Sequence, residues 1–180
     1  MLFLLFLFAT HLPAHMRLPE RSLLISASHK RLILTQQLDV RGHEASLMRT
    51  MYDLDHNQVL SDSETHALLP IFLQKSMAHA SVNYDPTHFT PLKAEPFLIE
   101  DREHIRGGLL WILKAQHGVQ TSVLTLESGD EPLWVGLHTH EHRTTCVFER
   151  SDLEKLNMSV ISDKVRLPAH TVVHVRVVFK

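Results

Sequence analysis

The sequence predicts an α+β fold: an antiparallel β-sandwich-like domain interrupted by one helix-loop-helix insert. Three observations carry that reading. The stretch "LILTQQLDV" alternates apolar and polar residues with period two. Between Gly42 and Ala80 the apolar spacing changes to three and four, the signature of helices with one buried face. From Leu109 onward, runs rich in β-branched and aromatic residues recur between turn-forming clusters.

The chain has 180 residues, enough for one domain with a sizeable core. Its formal net charge is −2, so no overall basic field argues for nucleic acid. Its single cysteine, Cys146, forms no intramolecular disulfide and reads as a small buried hydrophobe within a strand.

At the N-terminus, Met1 to Ala9 form an unbroken apolar run. This is shorter than the roughly 20 residues needed to span a bilayer and fits the apolar region of a signal peptide. The expected division is residues 1–14 as signal peptide, ending at Ala14, and residues 15–180 as a single β-rich domain with its insert at about 42–80. No Lys or Arg precedes Arg17, a departure from the usual basic leader. No later stretch reaches transmembrane length, so no stable membrane span is expected after signal removal. The expected location is secreted or periplasmic.

In the first strand pair, Leu32, Leu34, Leu38 and Val40 share one parity, interrupted by Gln36, with "SLLIS" as hairpin partner turning near "ASHK". The first helix places Ala45, Met48 and Tyr52 on one face, with Leu47 and Met51 beside them. The second places Leu68, Leu69 and Phe72 likewise, and Pro70 is expected to kink or end it. Pro86, Pro91 and Pro96 mark a connecting stretch before the strands "LLWILKA", "VQTSVLTLE", "PLWVGLHTH", "TTCVFE" and "TVVHVRVVF". In the last of these, Val173, Val175, Val177 and Phe179 share a face.

Between the two helices lies "DLDHNQVLSDSE". Asp53, Asp55, Asn57, Val59, Ser61 and Glu64 occupy its first, third, fifth, seventh, ninth and twelfth positions. This resembles the EF-hand, whose loop surrounds calcium, a hard cation, with six to eight oxygens. The resemblance implies side-chain ligands from Asp53, Asp55 and Asn57, the Val59 carbonyl, a water-mediated contact at Ser61, and both carboxylate oxygens of Glu64. Leu60 and Glu44 also match the family's apolar eighth position and the acidic residue that opens its first helix. Gln58 departs from the pattern: the sixth position is normally Gly, because the chain there takes a positive φ. The strain and the low charge count imply a weak site, of the kind extracellular modules use at Kd of about 10⁻⁴–10⁻³ M.

The order of strand, lone loop and further strands also resembles extracytoplasmic domains linked to bacterial nickel/cobalt transport proteins. That resemblance covers most of the mature chain, is motif-specific only in the loop, and carries over no transport residues.

A second constellation is "GLHTHEHRTT". His138, His140 and His142 alternate along a strand, which would place all three on one face. Neighbouring imidazoles of that kind can share Zn2+, Cu2+ or Ni2+. Leu133, Val135 and Leu137 would take the opposite, core-facing side. No nucleophile elbow or phosphate loop is present, and no enzyme is expected. The functions in view are a secreted calcium-stabilised structural or interaction module, for which a protein partner is open but unidentified; a periplasmic accessory protein that binds a transition metal through the histidine face; and a hydrolase whose site assembles only in three dimensions.

Overall fold

The structure is a computed structural model that describes residues 20–77, 80–139, 144–155 and 164–179. The expected signal peptide lies outside the described residues. The chain opens with a hairpin, β1 (Glu20–Ser28) and β2 (Arg31–Arg41), turning at His29 with φ +52°. The helices follow as α1 (Gly42–Tyr52) and α2 (Asp62–Met77). The remaining elements are β3 (Ser81–Tyr84), β4 (Phe89–Glu100), β5 (His104–Ala115), β6 (Thr121–Glu127), β7 (Leu133–Thr139), β8 (Thr144–Phe148), α3 (Arg150–Lys155), β9 (Lys164–Leu167) and β10 (Val172–Phe179).

The fold is mostly β, with two sheets. One has six strands in the order β4-β5-β2-β1-β7-β9 and the other four in the order β3-β6-β10-β8. The opening hairpin therefore completes the first sheet, at its centre. Every described ladder is antiparallel except one: β1 pairs with β7 in parallel, Ser22 to Ala27 against Trp134 to Thr139. This corrects the all-antiparallel expectation. β7 returns after a long crossover through the other sheet, and only hairpin-linked neighbours are obliged to run antiparallel.

Two apolar clusters form on one face of the six-stranded sheet. The larger joins both sheets, with Leu23, Ile25, Leu32, Leu34, Leu113 and Val135 against Leu124, Leu126, Val173, Val175, Val177 and Phe179. The smaller joins that sheet to the helices, with Leu38, Val40 and Ile105 against Ala45, Leu60, Leu68 and Phe72. The alternation of β2 runs through both, since Leu32 and Leu34 belong to the first and Leu38 and Val40 to the second. Gln36 stands at the changeover. It is buried, and its Nε2 donates to the Ser76 carbonyl at 2.6 Å, at the end of α2. The polar residue that breaks the apolar pattern thus ties the helical cover to the sheet.

Close approach of that cover requires a glycine. A Cβ built on Gly107 would lie 2.8 Å from the Phe72 ring, so the helix seats directly on the β5 backbone.

Other elements depart from what the spacing predicts. The proline-marked stretch is a strand: β4 contains Pro91 and Pro96 and lies at the sheet edge, where a missing N–H costs no ladder bond on the open side. A register shift between Pro91 and Lys93 accommodates it further. Of the two outcomes expected at Pro70, a kink or an end, the end does not occur: α2 continues to Met77. Leu68, Phe72 and Ser76 are buried on either side of Pro70, and that packing outweighs the lost helical bond. Leu47 and Met51 are 52% and 65% exposed, so the buried stripe of α1 is narrower than Ala45, Met48 and Tyr52 with both neighbours. The short helix α3 and the strand β9 are not among the elements the spacing predicts.

Cys146 is buried in the larger cluster, and burial pushes its thiol up to about 11.

Candidate metal centre

The loop from Asp53 to Glu64 joins α1 to α2, and α1 is fixed at both its ends. At the N-terminus of α1, Gly42 takes φ +57° and its N–H donates to Glu103 O at 2.8 Å, turning strand into helix. At the other end, Asp53 N–H closes the last turn on Arg49 O at 2.8 Å. Leu60 is buried with Leu68 and Phe72, anchoring the middle of the loop in the smaller core.

Asp53, Asp55 and Glu64 each bring a carboxylate oxygen to within 4.8 Å of the others, an arrangement that could hold a metal ion. Asp53 and Glu64 are buried and Asp55 is exposed. Loop N–H groups aim the buried pair. Asp53 Oδ1 accepts from Asn57 N at 3.0 Å, and Oδ2 from Gln58 N at 2.7 Å. Glu64 Oε1 accepts from Leu54 N. Glu64 Oε2 accepts from both the N–H and the hydroxyl of Ser61, each at 2.7 Å. The Ser61 hydroxyl, then its N–H and that of Leu54, hold the Glu64 carboxyl down to about 2, so it is ionised at neutral pH. Each Asp53 oxygen accepts a single N–H and keeps lone-pair capacity for a cation, whereas Glu64 Oε2 already accepts two donors.

The other loop residues lie around this triad. Asn57 Nδ2 donates to Asp55 Oδ2 at 2.8 Å and its Oδ1 accepts from Val59 N at 2.8 Å. The Val59 side chain is exposed. Ser61 is spent on Glu64, bonding it through both its polar hydrogens. Gln58 takes φ +69° and His56 φ +58°, so the sixth position does adopt the left-handed conformation that favours glycine.

Sequence reasoning missed Arg49. Its Nε donates to Glu100 Oε1 at 3.1 Å and its NH2 to Asp101 O at 2.9 Å, tying α1 to the β4–β5 turn. Beside the loop this forms an open cleft of about 930 Å³ lined by Arg49, Asp53, Gln58, Asp62, Glu100 and Asp101. Arg49 and Glu100 lie 51 positions apart, and no local spacing announces the pair.

Of the histidine series, His138 is exposed near the end of β7, while Leu133, Val135 and Leu137 turn into the larger core. His140 and His142 lie outside the described residues. Elsewhere, Ser122 Oγ lies 3.0 Å from His88 Nδ1, and Asp85 lies 3.8 Å from His88 Nε2. Ser122 is buried, closing that hydroxyl off from solvent.

No protein-family model matches the chain, and no curated protein matches it. Among the described residues, no helix is long and apolar enough to cross a membrane.

Proposed function

We propose that the chain is a secreted or periplasmic calcium-binding structural module, with an EF-hand-like insert that calcium locks onto a β-sandwich. One observation carries the reading: three carboxylates converge within 4.8 Å in a loop whose sixth residue is left-handed. The donors are all oxygens, which suits a hard cation such as calcium. Three converging negative charges repel one another, and a bound dication relieves that repulsion.

The apolar faces of both helices support a clip over a sensor. A sensor opens to expose an apolar groove. Here Ala45, Leu68 and Phe72 are already buried against the sheet, with Met48 and Tyr52 packed beside them. The apolar run from Met1 to Ala9 supports export.

The test is calorimetric titration of the full chain with calcium, magnesium and zinc in parallel, repeated on Glu64→Gln. Calcium should bind, and Glu64→Gln should weaken it most, because the bidentate carboxylate is lost. At free calcium ten times Kd, stability should rise by about 1.4 kcal/mol, with little change in apolar dye binding. Equal calcium affinity in the variant overturns the site assignment. A large calcium-induced rise in dye binding overturns the clip.

A further inference from the structure

The six-stranded sheet has a second face. Both apolar clusters, and hence both covering layers, lie on the side of Leu23, Leu32, Leu38 and Val135. Residues of the other parity point away from them. That outer face carries Leu24, Ile33, Phe97, Leu110, Ile112 and Trp134, all half-buried and belonging to neither cluster. No described element covers it. Contiguous apolar surface of this kind on a sheet marks an interaction site.

The strand registers order this face into rows. One row runs Phe97, Gly108, Gln37, Ser22, Trp134, Arg166, from β4 at one edge to β9 at the other. The next runs Glu95, Leu110, Thr35, Leu24, Gly136, Lys164. A third contains Lys93, Ile112, Ile33, Ser26 and His138.

These rows are complementary to themselves. Consider a second copy laid face to face, related by a two-fold axis parallel to the strands and passing between β2 and β1. Each row then meets its own reverse. Trp134 falls opposite Gly108, Leu110 opposite Gly136, Leu24 opposite Thr35, and Ile33 opposite Ser26, while Ile112 meets the exposed His138. At the rim, Glu95, which also pairs with Lys93 of its own chain, falls opposite Lys164, and Phe97 falls opposite Arg166. Large meets small, acid meets base, and a cation meets a ring. An isologous two-fold contact requires this self-matching. Stacked sheets align within about 30°, close enough to keep the central rows in register. Six strands at roughly 4.8 Å and three rows at roughly 6.8 Å give a footprint on the order of 500 Å² per copy. That is below a standard interface of roughly 800 Å² per partner, and fits a reversible dimer.

The geometry points to a second copy of this chain as the occupant of the outer sheet face, forming a two-fold dimer in which Trp134 and Leu110 seat over Gly108 and Gly136. This goes beyond the calcium reading, because the outer face is opposite the side that carries the loop.

The experiment is sedimentation equilibrium on the full chain from nanomolar to submillimolar concentration, with chelator and with calcium. Wild type should dimerise reversibly in both. Leu110→Lys and Trp134→Lys should each raise the dimer dissociation constant about a hundredfold, tenfold for each symmetry copy. Their circular dichroism and melting should stay close to wild type, since neither side chain belongs to the core. Glu95→Lys should weaken the dimer, and adding Lys164→Glu should restore it. A wild-type chain that stays monomeric at the highest concentration overturns the proposal. So does a dimer indifferent to Leu110→Lys and Trp134→Lys. A monomer in which Trp134 is shielded from a soluble quencher would instead assign the face to another occupant. Failure of the charge swap to restore the dimer overturns the stated axis.

Discussion

One face of the long strand β2 is closed in two different ways. Leu32 and Leu34 lie beneath a second sheet, whereas Leu38 and Val40 lie beneath two helices. The first half is covered by strands that hydrogen-bond among themselves, with no metal-ligand cluster among the described residues there. The second is covered by a helix pair whose connecting loop gathers three carboxylates. The comparison teaches where a bound cation can act. It can tighten the helical cover, through Leu60 and the ends of α1 and α2, while the two-sheet half stands on packing alone.

The strongest way to break the comparison is to hollow each half separately. Phe72→Ala should cost about 3–5 kcal/mol in denaturant unfolding and weaken calcium binding, because the loop loses its support. Leu124→Ala, in the two-sheet half, should cost about 2–5 kcal/mol yet leave calcium affinity unchanged. Calcium affinity that falls equally in both variants would show that the halves are one unit.

Gly107→Ala tests the seam. The added methyl would meet the Phe72 ring at 2.8 Å and push the helix off the sheet. The expected loss is about 1–3 kcal/mol, with slackened hydrogen-exchange protection in α2 and not in β10.

Gln58→Gly works in the opposite direction. Relief of the left-handed strain at φ +69° should tighten calcium binding by up to about tenfold, equivalent to roughly 1.4 kcal/mol. Calorimetric affinity equal to or weaker than wild type would contradict it.

The smallest effect is acid-side. Glu64 titrates at about 2 in the folded chain against an ordinary 4.5. A folded pKa below the unfolded one stabilises the fold above the unfolded value, and the stabilisation is lost as pH falls through the folded value. Glu64 therefore contributes fully near neutrality and progressively less between about pH 4.5 and 2. In calcium-free buffer, Glu64→Gln should flatten the fall in stability over that window, read by denaturant unfolding at stepped pH. An identical pH profile would mean that Ser61 and Leu54 do not hold the carboxylate as described.

Much of this molecule was legible locally. Period-two spacing along β2 and β10 identified the core side of each, and Val173, Val175, Val177 and Phe179 are all buried. The spacing of Asp53, Asp55 and Glu64 anticipated three carboxylates drawn together, because a short loop between two helix ends leaves the chain few other paths. The loop glycine missing at Gln58 was legible too, and the residue does take a positive φ. In each case the determining contacts lie within a dozen residues, where backbone geometry converts spacing directly into direction.

The tertiary structure alone decided the rest. That β1 takes β7 as a parallel neighbour depends on a crossover of about a hundred residues, and no local pattern encodes it. Pro91 and Pro96 read as breakers until β4 is placed at an edge, where an absent N–H is harmless. Pro70 reads as a kink or a helix end, and the burial of Leu68 and Phe72 on either side of it keeps the helix continuous. Gln36 reads as an interruption until Ser76 arrives 40 residues later to accept its hydrogen bond. Local periodicity states which side of an element is apolar, but the partner that covers it is chosen by packing between distant segments.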